Sequence, residues 1–256
     1  MSPERINVLG IGVSAVDIPC TLDTIDRWIV GGDKQYVCVT GVHGIVESQH
    51  DGDLLKVHNR AGLVVPDGMP LVWLLWLSGH AEADRVYGPD LMLAVLKHGR
   101  RRGYRHFLYG ATEETLRRLE ANVARAHPDA RIVGRIAPPF RPLSAAEERA
   151  VTSAINDSGA DIVWVGLSTP KQERWMAAFR NRLDANVLIG VGAAFDFHAG
   201  SVRQAPRFVQ RSGFEWAFRL MMEPRRLWRR YARNNPEFLW KLISQKIGGH
   251  DFPIRR

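Results

Sequence analysis

The sequence predicts an α/β fold, a doubly wound, mostly parallel sheet with a helical, basic C-terminal appendage. Short β-branched runs alternate with amphipathic stretches between residues 36 and 192, and the runs show no polar alternation. After residue 200 the strand pattern ends, and arginine is interleaved with aromatic and aliphatic residues. We therefore expect a Rossmann-like core over residues 1–202 and a helical appendage, rich in Arg and Trp, over residues 203–256.

A helical pattern follows each predicted strand. The strands are predicted at residues 36–40, 63–65, 106–110, 131–133, 162–166 and 187–191, and the helices at 44–59, 70–77, 89–102, 113–127, 145–158 and 171–183. Continuous apolar strands indicate a sheet that is covered by helices on both faces. Ser144, with Glu147 three residues later, predicts a capping box. Pro89 and Pro170 stand where a proline opens a helix.

The composition is that of an ordinary folded protein. Of 256 residues, 45% are hydrophobic and 24% are charged, which excludes a fully disordered chain. Cys20 and Cys38 have no CxxC spacing, so we expect reduced thiols of a cytoplasmic protein and neither a disulfide scaffold nor a zinc ribbon. The nine histidines show no HxH or HExxH spacing, and we expect no metal site.

The N-terminal segment and the most apolar segment predict no membrane insertion. The first residues lack the basic, apolar and small-residue order of a secretory signal. The run MPLVWLLWL, residues 69–77, is nine residues long, whereas a spanning helix needs about 20. We therefore expect a buried helix there and a protein that stays in the cytoplasm.

The positive charge of the chain lies in the appendage. Residues 203–256 contain thirteen basic and four acidic residues, a net charge of +9, while the rest carries 22 basic and 23 acidic residues. Such a segment favours a polyanion, either nucleic acid or an anionic membrane. Its amphipathic spacing fits two alternatives: a helix packed on the core with a solvated charged face, or an interfacial helix whose arginines meet lipid phosphates. These arginines are Arg219, Arg225, Arg226, Arg229 and Arg230.

Small and polar residues follow the predicted strands. Ligands of open parallel sheets bind at the carboxyl ends of the strands, so these residues are the candidate substrate-binding set. The set comprises Thr40, Gly110, Gly166, Pro170, Lys171, Gln172, Glu173, Gly192 and Asp196. The helix start at Pro170 adds backbone N–H donors for an anion, and Arg85, Lys171 and Arg174 are candidate phosphate partners.

Asp67 directly follows a predicted strand, between Pro66 and Gly68. This placement aims a carboxylate at the strand-end crevice and makes Asp67 the best general-base candidate. An aspartate at a strand-Asp-Gly-helix junction also serves as a helix cap, and the sequence leaves this alternative open.

Two other functional classes have some support. Gly10, Gly12 and Ala15 fit the G-x-G-x-x-A outline of a dinucleotide fingerprint, which favours an NAD(P)-dependent oxidoreductase. Pro19 opposes this interpretation, because the fingerprint opens a helix and a proline four residues later breaks one. The second alternative is a non-enzymatic nucleic-acid-binding protein whose basic appendage binds phosphates, but it gives the strand-end residues no role.

Several long strings resemble the WecG/TagA/CpsF family of bacterial glycosyltransferases, glycosyltransferase family 26. The strings are VVPDGMPLV (64–72), RVYGPDLM (85–92), FLYGATEETL (107–116), PFRPLSAAEE (139–148), INDSGADIVWVGLSTPKQERWM (155–176), GVGAAFDFHAGSVRQAP (190–206) and FEWAFRLMMEPRRLWRRY (214–231). The resemblance extends over residues 8–245. Within the family, the chain looks similar to the exopolysaccharide branch, including the xanthan-type β-glucosyltransferase.

The resemblance implies transfer of a sugar from a nucleotide diphosphate donor, a UDP-sugar above all, to a sugar on a polyprenyl diphosphate. It implies inversion at the anomeric carbon and no metal, no cofactor and no nucleic acid partner. It places the reaction at the inner face of the cytoplasmic membrane, in exopolysaccharide or cell-envelope polysaccharide synthesis. On the matching positions, Asp67 is the expected base and Arg85 offsets the leaving diphosphate. Thr40 and Gln172 are expected in the pocket, and Glu173 is expected to contact the nucleoside or sugar. No oligomeric state is implied.

The chain departs from the family pattern at two places. Relatives commonly carry T-x-N after the first sheet strand, whereas this chain has Thr40, Gly41, Val42 and His43. The pocket asparagine is therefore absent, and His43 is the candidate to replace it. Relatives often carry RAP where this chain has QAP, residues 204–206. Both departures concern the identity of the sugars more than the type of reaction.

Overall fold

The computed structural model describes residues 3–248 and 252–254 of the chain. Over these residues it contains eight strands and twelve helices. In chain order they are β1 (Arg5–Val8), β2 (Ile11–Ser14), α1 (Ile18–Gly31), β3 (Gln35–Thr40), α2 (Val42–His50), α3 (Gly52–Arg60), β4 (Leu63–Pro66), α4 (Met69–Leu77), α5 (Gly88–Arg102), β5 (Arg105–Gly110), α6 (Glu113–Ala126), β6 (Arg131–Ile136), α7 (Ala145–Asp157), β7 (Ile162–Gly166), α8 (Lys171–Phe179), β8 (Val187–Gly190), α9 (Ala194–His198), α10 (Arg207–Arg211), α11 (Glu215–Met222) and α12 (Pro224–Lys246).

Six of these strands form one sheet in the order β4-β3-β8-β7-β5-β6. The pairs β3–β8, β7–β8, β5–β7 and β5–β6 are parallel. Every strand predicted from the sequence is present. The largest difference in bounds is at β6, which was predicted to end at residue 133 and continues to Ile136. The predicted α/β fold with a parallel sheet and a helical C-terminal part is confirmed.

The chain divides into two compact units. Unit 1 comprises Met1–Asp17, Val39–Tyr87 and Gln204–Arg256, and unit 2 comprises Ile18–Cys38 and Gly88–Arg203. The last segment of unit 1 begins at Gln204, next to the predicted start of the appendage at residue 203.

Unit 2 contains four of the six apolar strands that predicted the fold, β5 to β8. The residues from Ile162 to Val165 in β7 are buried, and the ring of Trp175 on α8 stacks between Tyr109 and Phe179 with centroid distances of 4.2 and 4.5 Å. The predicted capping box opens α7: the Ser144 side chain accepts from the Glu147 N–H, and the Glu147 carboxylate accepts from the Ser144 N–H. The helix therefore begins where its sequence signal places it.

Unit 1 begins with an antiparallel hairpin, and this finding corrects the fingerprint interpretation. Gly10 lies in the turn between β1 and β2 with a φ of +82°, a conformation that favours glycine, and Gly12 lies within β2. The next helix begins only at Ile18. The glycines therefore shape a hairpin rather than a phosphate-binding turn into a helix, and the oxidoreductase alternative loses its supporting motif.

Two predicted helices begin or end elsewhere. The helix predicted over residues 44–59 is split into α2 and α3, because the Asp51 side chain accepts hydrogen bonds from the N–H groups of Asp53 and Leu54 and starts a new helix. The helix predicted over residues 171–183 begins at Lys171 as expected but ends at Phe179, and Pro170 is its N-cap rather than its first residue.

The prediction of a buried helix over residues 69–77 is wrong for one of its faces. In α4, Met69, Leu71, Val72 and Leu75 are buried, but Trp73 and Trp76 are 41% and 44% exposed and Leu77 is 73% exposed. The helix is apolar all round, yet only one side faces the core of unit 1. None of the helices in the described part of the chain combines the length and apolar character needed to span a bilayer.

The C-terminal helices pack within unit 1. Leu227 and Phe238 of α12 are buried. The Glu237 carboxylate lies 2.7 Å from His50 Nε2 on α2, and Gln245 Oε1 accepts from the Leu9 N–H at 3.2 Å in the hairpin. The appendage is thus packed on the rest of unit 1, as the first of the two alternatives states. It also keeps exposed apolar side chains, namely Phe208, Phe214, Trp216, Met221, Met222, Trp228, Leu239, Trp240, Ile243 and Ile247.

Candidate active site

Asp67 lies in the loop between β4 and α4, at the carboxyl end of the strand. Its N–H donates to the Thr40 carbonyl at 3.0 Å, which joins the ends of β4 and β3. A Cβ on Gly41 would lie 3.8 Å from Asp67 Oδ2, so the carboxylate stands beside the start of α2. The N-cap of α4 is Gly68, which supplies no side chain. The alternative in which Asp67 is the cap residue of that helix is therefore wrong.

Arg85 is held against the Asp67 loop by several contacts. Its Nε donates to the backbone carbonyl of Asp67, and its guanidinium forms an ion pair with Glu215 at the start of α11. The guanidinium also lies over the Tyr87 ring, 4.0 Å from its centroid. Burial and the negative charges of Glu215 and Asp67 raise the pKa of the Tyr87 hydroxyl, which therefore stays protonated near neutral pH.

A pocket of about 560 Å³ contains Asp67 and Arg85. Its size is that of a small-molecule site. The polar lining comprises His43, Asp67, Arg85, Gln210, Ser212, Glu215, Arg219, Arg230, Tyr231, Asn234 and Asn235, and the apolar lining comprises Val42, Met69, Pro70, Trp73, Leu74, Leu77, Phe214, Trp216, Phe238, Leu239 and Leu242. Every lining residue belongs to unit 1. The predicted Thr40 is buried next to Asp67 but is not in the lining, and its Oγ1 has no hydrogen-bond partner among the described residues.

His43 lines the pocket from α2 and contacts α12. Its Nδ1 lies 2.7 Å from Nδ2 of Asn234 and 3.7 Å from Glu47 Oε1. Burial, together with the charge of Arg230, lowers the pKa of His43 to about 4. The imidazole is therefore neutral at pH 7, and its Nδ1 accepts the amide hydrogen bond.

Four of the five predicted appendage arginines separate into two sets. Arg219 and Arg230 line the pocket with Asp67, and Arg230 Nε is buried without a hydrogen-bond partner among the described residues. Arg225 and Arg229 are exposed, and the Arg229 guanidinium lies 5.4 Å from the centroid of the Trp228 ring. The side chain of Arg226 lies outside the described part of the chain.

A second set of predicted residues lies at the strand ends of unit 2. Gly110 and Gly166 are paired at the ends of β5 and β7, and the Ala111 N–H donates to the Gly166 carbonyl at 3.0 Å. Gly110 has a φ of +130°, and a Cβ there would lie 2.5 Å from the Gly166 carbonyl oxygen. Only glycine allows the two strand ends to approach this closely.

Gln172 and Glu173, in the first turn of α8, are almost fully buried. Gln172 Nε2 and Thr169 Oγ1 both donate to Glu173 Oε1, at 3.1 and 2.9 Å. A Cβ on Gly192 would lie 3.5 Å from Gln172 Oε1, so the amide lies against the end of β8. Gln172 Oε1 and Glu173 Oε2 have no hydrogen-bond partner among the described residues, which marks a polar position that a ligand can satisfy.

The remaining predicted residues of unit 2 are less enclosed. Pro170 precedes α8, and Lys171, its first residue, is exposed. Asp196 is half-buried on the short helix α9, and its carbonyl accepts from the Ser201 N–H at 2.9 Å. No group of three or more His, Cys, Asp and Glu within the described ranges is arranged to hold a metal ion.

Sequence reasoning missed several pocket residues. Glu215, Gln210 and Asn234 come from the appendage, in which only arginines were predicted to bind a ligand. Glu215 stands within the FEWAFRLMMEPRRLWRRY string, so the same string that carried the resemblance contained the signal. The exposed face of α4, with Trp73, was missed because an all-apolar run has no periodicity that separates a buried face from a pocket wall.

A family model described as the Glycosyl transferase WecG/TagA/CpsF family matches residues 6–251. The chain belongs to this family. The resemblance to the family is therefore confirmed, and the protein is a glycosyltransferase.

This WecG/TagA/CpsF family glycosyltransferase is similar to three relatives, each named N-acetylglucosaminyldiphosphoundecaprenol N-acetyl-beta-D-mannosaminyltransferase. The Bacillus subtilis (strain 168) protein is 28% identical over 180 residues, 70% of this chain and 68% of the relative. The Bacillus spizizenii (strain W23) protein is 32% identical over 174 residues, 68% of this chain and 65% of the relative. The Staphylococcus aureus (strain MW2) protein is 27% identical over 192 residues, 75% of this chain and 73% of the relative. The chain thus matches about two thirds of the length of the two Bacillus relatives.

Proposed function

We propose that this glycosyltransferase moves a sugar from a nucleotide diphosphate to a sugar carried by a polyprenyl diphosphate. The first candidate donor is a UDP-sugar, and the transfer inverts the anomeric carbon and needs no metal. The names of the three relatives support the lipid-linked acceptor. The observation that carries the proposal is the pocket of unit 1, in which a carboxylate and two appendage arginines share one space with a wall of Trp and Leu side chains. This combination suits an acceptor that is at once a sugar, a diphosphate and a lipid.

Asp67 is the general base of the proposed reaction. The acceptor hydroxyl loses its proton to Asp67 as its oxygen forms a bond to the anomeric carbon, and the bond from that carbon to the donor diphosphate breaks. The electron pair of the broken bond leaves with the diphosphate, and a single displacement inverts the anomeric carbon. Asp67 supports this role because it is half-buried in the pocket lining at the end of a rigid strand.

The diphosphates of the donor and of the lipid acceptor require positively charged partners. We assign different arginines to the two diphosphates. Arg230 is the best candidate for the lipid diphosphate, because its buried Nε still lacks a partner among the described residues, and Arg219 lines the same pocket. Arg85, expected to offset the leaving diphosphate, has its charge balanced by Glu215 and its Nε bound to the Asp67 carbonyl. We therefore assign Arg85 first to holding the Asp67 loop. Arg85 offsets the charge of the leaving diphosphate only when its guanidinium binds the substrate as well as Glu215.

The donor is assigned to the strand-end residues of unit 2. Gln172 and Glu173 offer buried oxygen atoms without partners in the described residues, and these accept hydrogen bonds from sugar or ribose hydroxyls. Gly110 and Gly166 allow the close approach of their two strand ends, and a Cβ on Gly192 would lie 3.5 Å from Gln172 Oε1, so we assign these three glycines to the same donor site. Thr40, at the end of β3, and His43, on α2, are assigned to the acceptor side, because the Thr40 carbonyl accepts from the Asp67 N–H and His43 lines the same pocket as Asp67.

The exposed apolar and basic residues of the appendage support binding to the anionic inner face of the cytoplasmic membrane. Trp240 is 72% exposed, and Trp228 lies beside the exposed Arg229. Burial of one such aromatic side chain contributes about 1.5–3 kcal/mol, and each basic residue near an anionic leaflet adds about 1 kcal/mol. In this setting the enzyme serves exopolysaccharide or cell-envelope polysaccharide synthesis.

The function is tested by incubating the purified protein with UDP- and GDP-sugars and a synthetic polyprenyl-diphosphate-linked monosaccharide, with EDTA present. Mass spectrometry of the lipid should show extension by one sugar with one donor, at a rate that EDTA leaves unchanged. Transfer to water alone, or transfer that EDTA abolishes, contradicts the proposal.

Membrane binding is tested separately by co-sedimentation with vesicles that contain phosphatidylglycerol. Trp240→Ser should lower the partition coefficient at least about tenfold. Phe140→Ser is the matched control, because Phe140 is 88% exposed but lies in the 137–142 loop of unit 2. Equal binding of the two variants would contradict a membrane-facing appendage.

A further inference from the structure

Asn234 of α12 brings a buried side-chain amide into the pocket that holds Asp67. The side chain is only 2% exposed, and its Nδ2 lies 2.7 Å from Nδ1 of His43. Both residues line the pocket. A buried amide is stabilised there only by hydrogen bonds, so the contact with His43 determines how both side chains are oriented.

The contact decides which ring nitrogen of His43 carries the proton. An amide NH₂ group donates and does not accept, so Nδ1 receives the hydrogen bond through its lone pair. The proton of a neutral imidazole then lies on Nε2. The charged groups that face the ring are Glu47 on α2, 3.7 Å from Nδ1, and Arg230 on α12, while Asp67 lines the same pocket. Burial and Arg230 keep the ring neutral at pH 7.

We propose that Asn234 is a positioning residue that holds His43 as a neutral Nε2–H donor, and that this donor selects acceptor sugars by a hydrogen bond to an oxygen near the attacking hydroxyl. The inference rests on the proposed function, because it takes the pocket to be the acceptor site. No hydrogen bond from the described residues engages Nε2 of His43. A donor held in place in this way rejects a ligand that cannot accept its hydrogen bond, since the polar group would then be left unpaired.

The proton position is tested by NMR on full-length protein with ¹⁵N-labelled histidine. At pH 7 the wild type should show a protonated Nε2 and an unprotonated Nδ1 for His43. Asn234→Asp should place a proton on Nδ1, because a carboxylate only accepts hydrogen bonds. Asn235→Asp is the matched control: it adds the same charge one residue along α12, in the same pocket lining, and should leave the proton on Nε2. A protonated Nδ1 in neutral wild-type His43, or an unchanged tautomer in Asn234→Asp, overturns the inference.

The consequence for the acceptor is tested by steady-state kinetics. Asn234→Asp should raise the KM for the lipid-linked acceptor at least about tenfold, the loss of roughly one hydrogen bond, with the donor KM unchanged. Its activity should also become pH-dependent between about pH 6 and 8, because the new carboxylate favours the charged imidazole. In a His43→Ala background, Asn234→Asp should have no further effect, since Asn234 acts through His43.

The failure of this inference differs from the failure of the proposed function. If wild-type protein extends no polyprenyl-diphosphate-linked sugar, the proposed function is wrong. If transfer is as efficient in Asn234→Asp as in the wild type, the inference is wrong. Thermal unfolding identifies a variant that does not fold, and Asn234→Ser then takes its place: its hydroxyl can still donate to Nδ1 and should retain more acceptor affinity than Asn234→Ala.

Discussion

The guanidinium of Arg85 forms an ion pair with Glu215, and its Nε donates to the backbone carbonyl of Asp67. The side chains of Arg85 and Glu215 are only 11% and 13% exposed. One arginine therefore ties the loop that carries the candidate base to the first turn of α11. Helix α11 of the C-terminal appendage consequently forms part of the pocket wall.

Replacement of Glu215 by Gln should destabilise the protein. The change leaves the enclosed guanidinium of Arg85 without its carboxylate, which costs about 3 kcal/mol in the free energy of unfolding. Glu114→Gln is the control, because Glu114 forms ion pairs with Arg117 and Arg118 on the exposed face of α6, where solvent screens the charges, and its loss should cost far less. Urea unfolding measures both, and equal losses would show that the Arg85–Glu215 pair contributes no more than a surface pair.

The stability of the protein should fall as the pH decreases from about 6.5 to 4. The pKa of His43 is lowered to about 4 in the folded chain, whereas the unfolded value is about 6.5. The unfolded chain therefore binds the proton first, and the stabilisation present above pH 6.5 is lost on acidification. The loss reaches about 3 kcal/mol near pH 4.

The His43 contribution is isolated by comparing wild type with His43→Gln in urea unfolding at a series of pH values. Glutamine does not titrate, so the variant should lose less stability between pH 6.5 and 4. Parallel pH profiles for the two proteins would mean that His43 is not the group responsible.

Arg230 and its neighbour Arg229 should have different roles. Arg230 lines the pocket, whereas Arg229 is exposed. In detergent micelles, Arg230→Gln should raise the acceptor KM at least about tenfold, the effect of losing one charge-assisted hydrogen bond. Arg229→Gln should leave that KM unchanged and instead weaken binding to anionic vesicles. The assignment fails if the two variants have the same acceptor KM.

Gln172 should matter for the donor and not for the fold. Gln172→Leu removes the amide that lies between Glu173 and Gly192, and we expect the affinity for the nucleotide sugar to fall at least about tenfold in calorimetry. Gln35→Leu is the matched control, because Gln35 begins β3 at the amino end of the sheet. A donor affinity equal to that of the wild type would remove Gln172 from the donor site.

The sheet was predictable from the sequence because its strands are buried runs without alternation, a pattern that stands out from the helices around it. β7 was predicted with its observed bounds, Ile162–Gly166. The break between α2 and α3 was missed because it depends on one side chain: Asp51 turns to accept two backbone hydrogen bonds, and the apolar periodicity continues across it. The hairpin of β1 and β2 was missed because its glycines imitate a phosphate-binding turn.

The site was predictable where a residue follows a strand, as Asp67 does, and not where it comes from a distant helix. Glu215 and Asn234 reach the pocket from segments 130 and 191 residues away from Arg85 and His43. An amphipathic pattern shows which side of such a helix faces protein, but not which side chain it contacts. The partners of Arg85 and His43 therefore required the structure.

The proposed role of Asp67 as the base is tested most sharply by the turnover of Asp67→Asn with the lipid-linked acceptor. We expect kcat to fall by about 10²–10⁴, because the amide cannot take the acceptor proton, while donor affinity in calorimetry and the melting temperature stay close to wild type. Asp53→Asn, at an exposed carboxylate of α3 paired with Lys56, should retain wild-type turnover. An Asp67→Asn enzyme that turns over at the wild-type rate would show that Asp67, in the pocket of unit 1, does not deprotonate the acceptor.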